Sequence, residues 1–174
     1  MENADLDDQK SSDQMNSAAT INTTTVIPGD HMEAGLPGIN RERGPRAVEL
    51  HVAARLENLA MLRTLVGAIG AFEDLDFDAV ADLRLAVDEV CTQLIRSADP
   101  DATLVVVVDP LDDKLIVQAS TACHTHDVVS PGSFSWHVLT SLADEVQTFH
   151  DGRQPATGSI FGITLTARRA AAGR

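Results

Sequence analysis

The sequence predicts an α+β two-layer sandwich, with helices on one face of a mixed, mostly antiparallel sheet. Three observations predict it. Apolar residues recur at a spacing of two in some stretches and of three to four in others, so the chain makes both strands and helices. Strand-like runs follow one another across short turns, as hairpin partners do. The patterned part, residues 46–174, is long enough for one sizeable core, and layered helices on a sheet are the economical way to close it.

Taken in order, residues 1–45 are rich in Asn, Asp, Ser, Thr and Gly, with no aromatic residue and no sustained period. Such a segment cannot bury enough apolar surface to offset its ordering entropy, and it reads as a disordered acidic tail. Val48-Glu49-Leu50-His51-Val52 alternates and predicts a half-buried strand. Leu59, Leu62, Val66 and Ile69, widened by Leu56 and Leu65, predict an amphipathic helix ended by Gly70. Val80, Leu83, Val87, Val90 and Leu94 predict a second helix over 78–97, closed by Asp99-Pro100-Asp101. Leu104 to Val108 is a continuous apolar run, the mark of a strand buried on both faces. Asp109 to Asp113 reads as the turn to a hairpin partner, Leu115 to Ala119. Residues 120–132 have no period and predict a long loop. A third helix starts near Ser135 and carries Trp136, Leu139, Leu142 and Ala143, with Trp136 expected as a core anchor. Val146 to Phe149 alternates, Asp151-Gly152 makes a turn, and Ile160 to Thr166 closes the sheet.

Charge and composition exclude several functions. The net charge is −13, of which −5 falls in residues 1–45 and −8 in residues 46–174. A polyanion would be repelled, which argues against nucleic-acid binding and against anionic lipid. The 2 cysteines are too few for a disulfide scaffold and suit a reducing compartment. The start, MENADLDDQK, is acidic where an export signal is basic. With no apolar run of membrane-spanning length, the expectation is a cytoplasmic protein.

The chemistry concentrates on the second helix. Glu89 and Gln93 lie four apart, on one face and off the apolar stripe. A polar, solvated face explains the pair. So does a working site, in which a carboxylate activates a hydroxyl while an amide oxygen ligates Mg²⁺. Cys123-His124-Thr125-His126-Asp127 offers metal-ligand types but lacks the remote second half of a zinc site, so it reads as a solvated loop. Cys91 reads as a core thiol, with a Cys91–Cys123 redox link as the rival reading.

The run from Val48 to Arg169 resembles the anti-sigma factor kinases of the RsbW type. These belong to the GHKL ATPase superfamily, which has the Bergerat ATP-binding fold. VAARLENLAMLRTLVGAIG, FDAVADLRLAVDEVCTQLIRSA and GSIFGITLTARR carry the likeness, most closely to the actinobacterial (mycobacterial) anti-sigma-F factors. The resemblance implies a cytoplasmic homodimer that sequesters an alternative sigma factor. It also implies a role in transcription regulation and stress response, countered by anti-anti-sigma proteins of the STAS fold that such kinases phosphorylate on serine. It places partner contacts on the first helix, where Glu57 and Arg63 are the candidates.

The resemblance also implies ATP and Mg, held by conserved boxes from which this chain departs. Glu89 matches the general base, but Gln93 stands where an Asn holds Mg²⁺, one methylene further out. Ala119 replaces the Asp that receives the adenine amino group. Thr121 and Cys123 replace two glycines. The phosphate-cradling Gly-x-Gly is Ser133-Phe134-Ser135, with Gly132 just before it, and a late Gly-Thr pair is Gly158-Ser159. Three lost contacts at about 1 kcal/mol each would weaken nucleotide binding roughly a hundredfold. Anti-sigma binding with a degenerate nucleotide site is therefore the first expectation. An active ATP-dependent serine/threonine protein kinase is the alternative.

Overall fold

The computed structural model describes residues 43–124, 128–150 and 159–169. Five strands and three helices follow in the order β1 (Val48–Ala53), α1 (Leu59–Phe72), α2 (Phe77–Ser97), β2 (Thr103–Pro110), β3 (Lys114–Cys123), α3 (Phe134–Leu142), β4 (Glu145–His150) and β5 (Ser159–Arg168). The sheet order is β1-β2-β3-β5-β4, and each neighbouring pair is antiparallel. The α+β reading holds, and no parallel pair occurs among the described strands.

Alternation along the strands builds the core. Leu104, Val106 and Val108 of β2, Leu115, Val117 and Ala119 of β3, and Ile163, Leu165 and Ala167 of β5 join one cluster with Leu83, Ala86, Val87, Val90 and Leu94 of α2. The helices thus cover one sheet face. On the other face of β2, Val105 and Val107 are also buried, as the unbroken apolar run predicted. Trp136 is half-buried against the core, in the anchoring role expected of it.

Helices α1 and α2 form an antiparallel hairpin whose contacts step in register. Arg63 meets Asp88, Arg84 lies over Gly67, and Val80 faces Gly70. Gly70 therefore does not end α1, which runs on to Phe72. A Cβ there would meet Val80 Cγ2 at 3.4 Å, an ordinary van der Waals contact, so the site is one a larger residue could also fill. Leu56 does not widen the buried stripe: it sits in a short 3₁₀ turn before α1 and is 49% exposed. Asp76 caps α2, its carboxylate accepting from Ala79 N at 2.8 Å. Beyond α1, Glu73 is 6% exposed and held by Arg46 and Arg169, which ties both ends of the described fold to this hairpin.

The β2–β3 turn is shorter than expected. Asp109 and Pro110 still pair with β3, and Leu111 N donates to Lys114 O at 2.8 Å to close the bend. Strand β3 also outruns its apolar pattern. Residues 120–123 pair with β5, and Thr121 Oγ1 donates to Thr103 O at 3.0 Å. Their small and polar side chains hid the strand, so the loop begins only after Cys123. Expectations for residues 1–42, for 125–127 in that loop, for Asp151-Gly152 and for Gly158 lie outside the described residues. Among the described residues no helix is long and apolar enough to cross a membrane.

Candidate functional site

Because α2 turns its stripe of Leu83, Val87, Val90 and Leu94 to the sheet, Glu89 and Gln93 fall on its flank, where α3 covers them. The approach of α3 is set by its first turn. Gly132 adopts φ +91°, a conformation that strains other residues. Ser133 then caps the helix, its hydroxyl accepting from Trp136 N at 3.1 Å. Ser135 is carried onto Glu89 as a result.

Ser135 Oγ donates to Glu89 Oε1 at 2.6 Å. Gln93 Nε2 donates to the same oxygen at 2.9 Å and to Ser135 Oγ at 3.2 Å. Glu89, Gln93 and Ser135 are thus brought into one closed triangle, with Gly132 and Ser133 shaping its α3 side. Beside it, a cavity of about 360 Å³ between α2 and α3 is lined by Asp88, Glu89, Thr92, Val138 and Leu142. Two carboxylates on its wall make it a poor seat for a bare polyphosphate.

The remaining box positions lie on the sheet. Ala119, Thr121 and Cys123 are on β3, each 2% exposed or less. Ser159 begins β5, opposite Cys123. Cys123 Sγ lies 3.7 Å from Thr121 O. Burial, and then the nearby Asp99 charge, pushes its thiol up to about 11. Burial and then Asp88 push Cys91 up to about 12. Both thiols are protonated at neutral pH, and neither is a nucleophile there. His124, the described member of the ligand-rich loop beyond Cys123, lies with Nδ1 3.5 Å from Asp99 Oδ1.

The side chains present do not fit Mg·ATP in this arrangement. Gln93 turns its amide nitrogen, not its oxygen, toward Glu89. The hydroxyl of Thr121 is engaged by Thr103 O, and Ala119 offers no side-chain acceptor. One of the two Glu89 carboxylate oxygens, Oε1, already takes two donors.

Of the residues expected to meet a partner, Glu57 is exposed in the turn before α1. Arg63 donates to Asp88 Oδ1 through Nη2 at 2.7 Å and Nε at 3.1 Å. Sequence reasoning missed Asp88 as this partner, and missed Ser135 as the partner of Glu89. Neither contact leaves a local signal, since they span 25 and 46 residues.

No family model matches the chain. It is 71% identical over 164 residues to the anti-sigma-F factor RsbW of Mycobacterium tuberculosis strain H37Rv, covering 93% of this chain and 96% of that protein. The same figures hold for the protein of strain CDC 1551. The serine-protein kinase RsbW of Bacillus subtilis strain 168 is 23% identical over 121 residues, covering 58% of this chain and 76% of that one. Among solved structures, the catalytic domain of histidine kinase ThkA overlaps 71% of this chain and 99% of its own, with a TM-score of 0.39 and 6% identity. The 71% identity, carried across nearly the full length of both chains, places this chain in the anti-sigma-F factor RsbW family.

Proposed function

We propose that this chain is an anti-sigma factor that sequesters an alternative, sigma-F-like sigma factor of RNA polymerase and is released by anti-anti-sigma proteins of the STAS fold. The observation that carries this reading is the identity of 71% over 164 residues with proteins bearing the anti-sigma-F name. Residues 46–174 form the working domain, acting as a homodimer in the cytoplasm. Glu57 and Arg63 contribute to the partner surface from the start of the α1–α2 hairpin. The Arg63–Asp88 bond supports this for Arg63, because it fixes a long cation in one orientation before any partner arrives.

Nucleotide binding in this reading is weak. The substitutions at Ala119, Thr121, Cys123, Ser133 and Ser135 remove the bonding groups and backbone freedom such a ligand needs, and Gln93 sets its amide one methylene further out than an Asn would. The kinase alternative draws on one feature, the Glu89 carboxylate bonded to a serine hydroxyl. The departures at Ala119, Thr121 and Cys123 outweigh it.

The test is purification from the native host with the bound molecules identified. A sigma factor in stoichiometric amount, with no tightly held nucleotide, is the expected result. Absence of any sigma factor would overturn the anti-sigma reading. A submicromolar Kd for Mg·ATP by calorimetry, or phosphoryl transfer to a STAS partner that Glu89→Ala abolishes, would reinstate the kinase.

A further inference from the structure

Helix α1 is apolar all round, although the chain covers only one side of it. Its 14 residues include one charged side chain, Arg63, and only Leu62, Val66, Gly67 and Gly70 are buried. A helix of that composition normally lies buried on every side. Met61 is instead 50% exposed and Phe72 82%. The adjoining outer ridge of α2 continues this surface with Phe77, 86% exposed, and Leu85, 57% exposed. Between these two stand Asp78, Ala81 and Arg84, all exposed. Spacings of three and four place the five residues on one side of α2, opposite its buried stripe. Neither Asp78 nor Arg84 has an ion-pair partner among the described residues. The Arg84 stem lies along Gly67 of α1, which leaves its guanidinium at the surface.

We infer that this face joins two copies of the chain, whose α1–α2 hairpins stack with their α2 helices antiparallel and crossing at Ala81. The order of the ridge carries the inference, because it complements itself on reversal: apolar Phe77, acidic Asp78, small Ala81, basic Arg84, apolar Leu85. A two-fold axis at Ala81 brings Phe77 and Asp78 of one copy level with Leu85 and Arg84 of the other, and the same contacts recur on the far side of the axis. Ala81 lets the helices approach, Asp78 meets Arg84 once on each side, and the Arg84 stem passes over the Phe77 ring. A groove of about 440 Å³ between α1 and α2, with Gly67, Ala68 and Val80 on its walls, lies beside the ridge to take the apolar side chains. Charge selects the occupant. Each copy carries −13, so two copies repel over most of their surfaces, while a basic partner is drawn to the acidic ones. The ridge is neutral in sum: Asp78 balances Arg84, and Asp88, one turn further along α2, is already met by Arg63. It therefore suits a second acidic copy and gives a basic sigma factor no added attraction. The inference rests on the proposed homodimer and assigns its interface, leaving Glu57 and Arg63, at the start of the hairpin, to the sigma partner.

The test is sedimentation of the intact chain across a concentration series, beside variants at these exposed positions, with circular dichroism to check that each is folded. Wild type is expected to be a dimer. Asp78→Lys and Arg84→Glu each turn two attractive contacts into two repulsive ones, and each is expected to weaken the dimer about tenfold or more. Combining both in one chain restores opposite charges across the axis and should recover the dimer. An equal mixture of the two single variants should form a mixed dimer for the same reason. Phe77→Ala removes only surface that is exposed in the single chain, and is also expected to weaken the dimer about tenfold or more. A wild-type dimer that none of these changes affects would overturn the interface and leave the homodimer reading intact. Single variants that weaken the dimer with neither rescue would overturn the pairing of Asp78 with Arg84, and with it the crossing at Ala81. Loss of sigma binding with the dimer unchanged would give the ridge to the sigma factor instead. A wild type that stays monomeric at every concentration would overturn the homodimer itself.

Discussion

At Cys91 and Cys123 burial decides chemistry. Their exposures are 0% and 1%, and their thiols titrate at about 12 and about 11 against 9.0 for the ordinary group. Below pH 9 both states of the chain keep these protons, so the thiols have no effect on the pH dependence of folding. Above it the unfolded chain sheds protons that the native one retains, so stability falls progressively from about pH 9 to pH 12. Urea midpoints measured at pH 7, 9 and 10 should be flat and then decline. At pH 8 a thiol reagent should label the native protein only as fast as it opens; rapid stoichiometric labelling would show that the thiols are accessible. The core position of Cys91 was legible from its place beside the α2 stripe. That of Cys123 was not, because alternation of Ala119, Thr121 and Cys123 is too weakly apolar to announce a strand. A comparable long-range fact is Gly162 on β5, where a Cβ would run into the ring of Phe149 on β4 as that ring is placed.

Among the elements, the α1–α2 hairpin shows what periodicity reveals and what it cannot. The stripe of α2 was fully legible, since Leu83, Val87, Val90 and Leu94 repeat at helical spacing. The extension of α1 past Gly70 was not, because a glycine reads as a stop in sequence while the helix runs on to Phe72. The same hairpin holds Glu73, whose carboxylate accepts from Arg46 Nη1 at 2.6 and 2.8 Å and from Arg169 Nη2 at 2.6 Å. The burial is lopsided: the side chain of Glu73 is 6% exposed, against 49% for Arg46 and 24% for Arg169. Glu73→Ala removes the buried charge and lets both guanidiniums reach water, at a cost of about 1–3 kcal/mol. Arg46→Ala combined with Arg169→Ala strands a carboxylate without counter-charge, at about 3–5 kcal/mol. Urea denaturation should rank the double variant as the less stable. Equal losses would mean that Glu73 reaches water once its partners are gone.

For the whole molecule, the α+β class and the helix-covered sheet were legible, because both rest on local pattern. The closed triangle at Glu89 was not, since it needs the distance between α2 and α3. Charge belongs to the same scale. The net −13 is spread over both the N-terminal segment, with −5, and residues 46–174, with −8. Under the proposed function the partner is a protein whose own ligand is DNA, and hence one with basic surface. A field of this sign would draw it in before any contact forms. Such steering acts on encounter, and salt shortens its reach from about 30 Å at 0.01 M to about 10 Å at 0.1 M. Contacts already made in the complex are screened far less. The association rate for the purified sigma partner should therefore fall about tenfold or more between low and high salt, while the dissociation rate changes by about twofold at most. Stopped-flow mixing across a salt series separates the two rates. A loss of affinity carried by faster dissociation alone would show that the acidic surface supplies bonds in the complex, not attraction toward it.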